Sequence, residues 1–84
     1  MAVNLTIPDS VTQAIRIPEE RIRAELLREL AAALYAHGFL AFGKARELAG
    51  MGKYDFAQML GARGIARHYT REELQDDLAY ANRG

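Results

Sequence analysis

The chain has 84 residues, half of them apolar, and its 11 basic residues balance 11 acidic ones to a formal net charge of zero. A chain of this length forms one domain, and it buries only about 60% of the surface that it exposes when unfolded, so association with a second copy would help to stabilise it. The absence of cysteine excludes disulfides and thiolate chemistry, and no signal-peptide pattern or membrane-spanning apolar stretch is recognisable. We therefore expect a cytoplasmic protein that is not inserted in a membrane.

The first segment, residues 1–17, begins with the alternating pattern of a strand. Apolar side chains occupy every second position at Val3, Leu5 and Ile7. This alternation predicts a short strand with one apolar face, followed by a helical turn that Asp9 or Ser10 caps. A strand needs a partner for its backbone groups, which would be residues 65–69 or the same strand of a second chain.

Residues 18–38 have the pattern of a long amphipathic helix. Pro18 suits a first helical turn, and Gly38 is typical of a left-handed helix stop. An apolar stripe with a spacing of four, widened on one side, predicts that this helix forms the core and offers a surface to a second copy. The stripe consists of Ile22, Leu26, Leu30 and Leu34, widened by Leu27, Ala31 and Tyr35.

Residues 41–63 predict a helix-turn-helix, around which the rest of the chain is organised. Apolar residues recur at helical spacing before and after the segment Gly50-Met51-Gly52, and glycine takes the positive φ of such a turn without steric cost. The predicted buried residues are Phe42, Ala45, Leu48 and Ala49 in the first helix and Phe56, Met59 and Leu60 in the second. In a DNA-binding helix-turn-helix, the second helix lies in the major groove.

The local charge of this region favours nucleic acid. Residues 41–69 hold five basic and two acidic residues, a net charge of +3, whereas the two flanking regions are acidic. Lysine contacts guanine or phosphate, glutamine reads adenine, and a tyrosine hydroxyl reaches phosphate. The predicted DNA-binding residues are Lys44, Lys53, Tyr54, Gln58 and Arg63.

Residues 65–84 predict an extended segment followed by a tail helix. Thr70 and Glu73 have the spacing of a capping box, which marks a helix start. The apolar stripe of Leu74, Leu78 and Ala81 is too narrow for deep burial. We therefore expect the tail to lie lightly on the domain or to serve as a docking arm for a partner.

The sequence of residues 18–79 resembles a family of small uncharacterised prokaryotic proteins that are often encoded beside PIN-domain ribonuclease toxins and are regarded as antitoxins. The resemblance rests on GKARELAGMGKYDF, on RGI at residues 63–65, and on the HYTREEL and DDL runs of the tail. It departs from the family pattern at Ala41, Arg46 and Gly52, and the residues at 41 and 52 replace helix-capping serines. The resemblance implies that the helix-turn-helix binds operator DNA and that the tail holds a PIN-domain toxin. The implied partner-binding residues are Tyr69, Leu74, Asp77 and Leu78.

Together these patterns predict one mainly α domain: a small helix-turn-helix domain with a short N-terminal strand and a C-terminal helical tail, which binds DNA as a dimer. The resemblance implies that it acts as an antitoxin. One alternative is a protein-interaction module that does not bind DNA, which the zero net charge favours. Another is a ribbon-helix-helix protein whose paired strands read DNA through Asn4 and Thr6, although the strand has no basic residue. We do not expect an enzyme, a cofactor or a metal site, because the two histidines are isolated and no ligand spacing occurs.

Overall fold

The computed structural model describes residues 1–66, which contain four helices. The helices are α1 (Asp9–Ala14), α2 (Glu19–Ala36), α3 (Phe42–Ala49) and α4 (Lys53–Ala62). The third helix packs against the long second helix, and α4 packs against α3. The mainly α prediction is confirmed, and helices are present on both sides of the turn at residues 50–52.

The prediction of an N-terminal strand was wrong. Residues 1–8 have no regular structure, and Val3 and Leu5 are 70% and 73% exposed. Alternation of apolar and polar residues gives a strand only where a second extended segment pairs with its backbone, and the described part of the chain contains no strand. Helix α1 then begins after Pro8, which occupies the N-cap position predicted for Asp9 or Ser10, and it buries no side chain.

The predicted tail lies outside the described residues. This applies to the capping box at residues 70–73 and to most of the extended segment at residues 65–69. It applies equally to the four predicted partner-binding residues, which are Tyr69, Leu74, Asp77 and Leu78.

The buried face of α2 is narrower than predicted and is shifted to one side. The core includes Ala31, Ala32 and Tyr35, whereas Ile22 and Leu26 are half-buried and Leu30 is exposed. Helix α3 packs against the side of α2 that carries the small alanines, so that side is buried more deeply than the side that carries Ile22, Leu26 and Leu30. The remaining core residues are Phe42, Ala45, Ala49, Phe56 and Leu60, as predicted, whereas the predicted Leu48 and Met59 are half-buried against this core.

Three aromatic rings join the three main helices at the centre of the core. Tyr35 of α2 lies edge-on to Phe42 of α3 and to Phe56 of α4, with ring centroids 5.9 and 6.4 Å apart. Phe42 and Phe56 also meet edge-on, at 5.3 Å. Each edge-to-face pair contributes about 0.5–1.5 kcal/mol beyond the burial of its surface, so this trio fixes α4 against the other two helices.

Gly50 makes the turn between α3 and α4. Its φ is +67°, and its N–H donates to the carbonyl of Glu47 at 3.1 Å while the next N–H, from Met51, donates to the carbonyl of Arg46 at 3.0 Å. These are the two bonds of a Schellman motif, which satisfies carbonyls at the end of a helix. Met51, the next residue of the turn, is half-buried and packs back against the core.

Candidate nucleic-acid interface on helix α4

Helix α4 presents a continuous exposed face to solvent. Successive residues of an α-helix are 100° apart, so Tyr54, Gln58 and Gly61 lie on one side of α4 and the buried Phe56 and Leu60 on the other. The Tyr54 side chain is 77% exposed, and Gln58 and Gly61 are also exposed. Two of the predicted DNA-binding residues therefore share one accessible face.

Gly61 leaves the C-terminal end of this exposed face without a side chain. A methyl group added at this position would meet no atom within 4 Å, and its φ is not positive, so neither packing nor backbone geometry among the described residues requires glycine here. Sequence reasoning did not identify this residue. An exposed glycine late in a helix costs stability relative to alanine, but it allows another backbone to come close.

The start of α4 combines a cation with an open helix end. Gly52 is the N-cap residue with extended backbone angles, and no side chain caps the first turn. The half-buried Lys53 follows directly, and the exposed Asp55 lies in the same turn. The unsatisfied N–H groups and the positive dipole end attract anions, whereas Asp55 opposes them, so the net attraction at this end is modest.

Lys44 is a further predicted DNA-binding cation, which lies on α3 and is exposed. Its Nζ atom lies 3.1 Å from a carboxylate oxygen of Glu47, one turn further along the same helix. The two side chains are 74% and 68% exposed. An ion pair this exposed contributes less than about 1 kcal/mol, so Lys44 can exchange Glu47 for a phosphate at little cost.

Arg63 differs from the other predicted DNA-binding residues because it is held against α2. Its Nη1 and Nη2 atoms each lie 2.6 Å from one carboxylate oxygen of Glu29, in a bidentate pair. The hydrogen bond from Arg63 lowers the pKa of the Glu29 carboxyl, and the same bond raises the pKa of the Arg63 guanidinium. Arg63 follows Phe56 by seven residues, so it projects from the buried side of α4, away from Tyr54 and Gln58.

An open cleft lies beside this face, between α2 and α4. It is lined by the turn residues 50–52, by Asp55, Gln58 and Met59 of α4, and by Arg28 of α2. The Arg28 Nη1 atom lies 3.3 Å from Glu25, and its buried Nε atom has no hydrogen-bond partner. Sequence reasoning missed Arg28, since nothing in the local pattern of α2 distinguishes it from the other charged residues of that helix.

Within residues 1–66, no helix is both long and apolar enough to cross a membrane, and no cluster of three or more candidate metal ligands occurs.

The fold and this exposed helix face define a small, mainly helical protein with a helix–turn–helix segment. Comparison with known proteins places it more closely: the chain belongs to the uncharacterised protein family UPF0175, whose profile matches residues 1–83. Three UPF0175 proteins are similar over most of their length. The protein from Aeropyrum pernix is 40% identical over 73 residues, covering 87% of this chain and 82% of the relative. The protein from Synechocystis is 30% identical, covering 95% and 85%, and the one from Archaeoglobus fulgidus is 33% identical, covering 90% and 85%. No solved structure matches the chain.

Proposed function

We propose that this protein is a DNA-binding transcription regulator of the antitoxin type, and that α4 is its recognition helix. The observation that carries the proposal is the exposed face of α4, where Tyr54 and Gln58 stand opposite the buried Phe56 and Leu60. A helix that follows a tight turn and has accessible polar side chains near its N-terminus has the form of a recognition helix.

In this arrangement Gln58 reads a base edge and the cations hold the phosphates. A glutamine pairs with adenine through two hydrogen bonds, and each such pair discriminates by about 1–3 kcal/mol. Lys53 at the start of α4 and Lys44 on α3 lie on the two helices of the motif and supply phosphate contacts. Gly61 allows the far end of α4 to approach the groove, since it presents no side chain.

A homodimer would place two such helices on one operator. Ile22, Leu26 and Leu30 form a ridge on the side of α2 opposite Ala31 and Tyr35, and Leu30 is exposed. Ridges with a spacing of four pack against each other at about −50°, so the ridge can pair with itself in a second copy. Leu30→Glu should then yield a folded monomer in sedimentation equilibrium, and a persistent dimer would refute this interface.

The second part of the proposed function is the binding of a PIN-type toxin by the C-terminal tail. It rests on the family resemblance and on the weakly apolar sequence around Leu74 and Leu78, which lie outside the described residues. Co-expression with the product of the neighbouring gene tests it. Loss of co-purification in the Leu74→Ala, Leu78→Ala variant is the expected result, and unchanged co-purification would remove the tail from the account.

The DNA proposal is tested by fluorescence anisotropy with the protein's own upstream DNA at about 50 and 200 mM salt. Wild-type affinity should fall steeply over this range, since bound phosphates release counterions. The variant Lys53→Ala, Gln58→Ala should bind at least about tenfold more weakly, because it loses one phosphate contact and one base contact.

A matched control removes the same chemistry elsewhere. Gln13→Ala, Arg21→Ala deletes one glutamine and one cation from exposed positions on α1 and α2. It should keep wild-type affinity. Equal losses in both double variants would show that binding depends on overall charge and not on α4.

A protein-interaction module without DNA binding is the second candidate. The exposed apolar side chains of Val3, Leu5 and Phe39, the last of them 76% exposed, favour it. Large apolar side chains that are exposed in this way are available to pack against a partner. Absence of DNA binding by the wild type, together with a co-purifying partner that Leu5→Ser releases, would establish this candidate instead.

A further inference from the structure

The ion pair between Glu29 and Arg63 joins the C-terminal end of α4 to the middle of α2. The two residues are 34 positions apart in sequence. The Nη1 atom of Arg63 lies 2.6 Å from Oε2 of Glu29, and its Nη2 atom lies 2.6 Å from Oε1. A planar guanidinium held at two points fixes direction as well as distance. The pair is therefore able to set the angle at which α4 crosses α2.

The other contacts of α4 are apolar. Phe56 and, in the last turn, Leu60 are buried in the core, and Ile65 packs against the core just beyond the helix. Apolar packing is non-directional, so these contacts hold α4 in place while allowing a small change in its tilt. Arg63, at the C-cap position of α4, adds a directional contact with Glu29 of α2.

We propose that the Glu29–Arg63 pair is a clamp that positions the recognition helix, so that Glu29 contributes to operator affinity without touching DNA. This inference rests on the proposed DNA-binding function. It reassigns Arg63 from a phosphate contact to a positioning residue, in accord with its place on the buried side of α4. A tilt of α4 would move Gln58 and Tyr54 relative to the base edges while leaving the core intact.

Three variants separate the clamp from a phosphate contact: Glu29→Gln, Arg63→Gln, and the exchange Glu29→Arg with Arg63→Glu. Operator affinity should fall about threefold to fivefold in each single variant, with the dependence of affinity on salt unchanged, because no phosphate contact is lost. The exchange should recover most of the affinity, since it restores the pair with its charges reversed. Circular dichroism at the binding temperature confirms that each variant is folded.

Glu20→Gln is the matched control, because it removes the same charge from an exposed position in the first turn of α2. It should leave operator affinity unchanged within about twofold. If the affinity instead increased by the same factor in Glu29→Gln and in Glu20→Gln, both carboxylates would act only through net charge, and the clamp would be refuted.

The remaining outcomes are equally decisive. The slope of log affinity against log salt concentration could decrease by about one released counterion in Arg63→Gln, with no recovery of affinity in the exchange variant. That result would show that Arg63 contacts phosphate and would overturn the clamp. Wild-type affinity in both single variants would overturn it as well. A wild-type protein that fails to bind its operator would instead refute the proposed function, and the role of the clamp in that function with it.

Discussion

Replacement of either of two glycines near the end of α4 by alanine should change the stability of the protein in opposite directions. Gly61 lies within the helix, its φ is not positive, and an added methyl group would meet no atom within 4 Å. Gly64 follows the helix with a φ of +69°, and it too has open space around it. Because neither site is crowded, replacement by alanine isolates the effect of backbone conformation.

The magnitudes follow from the two conformations. Alanine is favoured over glycine by about 0.8–1.0 kcal/mol in a helix interior, and part of this gain is lost near a helix end, so Gly61→Ala should stabilise the protein by about 0.5–1 kcal/mol. At Gly64 the left-handed conformation costs an alanine about 1–2 kcal/mol, and the reduced freedom of the unfolded chain returns about 0.4–1 kcal/mol. The difference ranges from about zero to about 1.6 kcal/mol, so we expect Gly64→Ala to destabilise the protein by about 0.8 kcal/mol, the middle of that range.

Urea unfolding followed by circular dichroism measures both changes. The midpoints of the two variants should move in opposite directions from the wild type, with unchanged slopes. In thermal unfolding, a change of 1 kcal/mol corresponds to a shift of about 4–8 °C for a domain of this size. Midpoints that move in the same direction would refute the assignment of the helix end between these two glycines.

Three further predictions concern a helix cap, the core and the ion pair. Ala41 has the extended backbone of an N-cap residue and no capping side chain. Ala41→Ser should therefore raise the free energy of unfolding by about 1 kcal/mol, as measured by urea unfolding. An unchanged free energy of unfolding would mean that the serine hydroxyl does not reach the first turn of α3. Phe56→Ala should lower the free energy of unfolding by about 3–5 kcal/mol and largely unfold the protein, as measured by circular dichroism. Tyr54→Ala, at an exposed position, should leave the free energy of unfolding almost unchanged. Equal losses in the two variants would contradict the burial of Phe56 in the core. Because Arg63 lowers the pKa of Glu29 in the folded state, the stabilisation of at most about 1 kcal/mol from this pair is present above pH 4.5 and is lost as the pH falls through the lowered pKa. The difference in unfolding free energy between wild type and Glu29→Gln should therefore close at low pH, and a difference that persists would contradict the pair.

The helices could be predicted from the sequence because their signals are local. Gly50 lies between two runs of apolar residues with helical spacing, and the structure places α3 and α4 on either side of it. Gly38 and Gly64 likewise mark the ends of α2 and α4 with positive φ. A helix end of this kind is determined by a few neighbouring residues, so it can be recognised from the sequence alone.

The features that could not be predicted depend on contacts between distant segments. Hydrophobicity favours the leucine ridge of α2 as its buried face, but close packing of α3 selects the alanine side, with Ala31 and Ala32 in the core. The alternation at residues 3–7 indicates a strand only if a second extended segment is available. The pair of Glu29 and Arg63 spans 34 positions, so no local spacing reveals that Arg63 faces α2 and not the exposed side of α4.

The central claim is that the exposed face of α4 contacts operator DNA, and the absence of cysteine from the chain permits a direct test. An iron–EDTA group tethered at Gln58→Cys cleaves the DNA strands nearest to that position, and Arg21→Cys on α2 provides the control. We predict two clusters of cleavage from position 58, about 10 base pairs apart or a multiple of that distance, as a dimer with two recognition helices requires. Cleavage from position 58 that is no stronger than from position 21, or that is spread evenly along the DNA, would contradict the account.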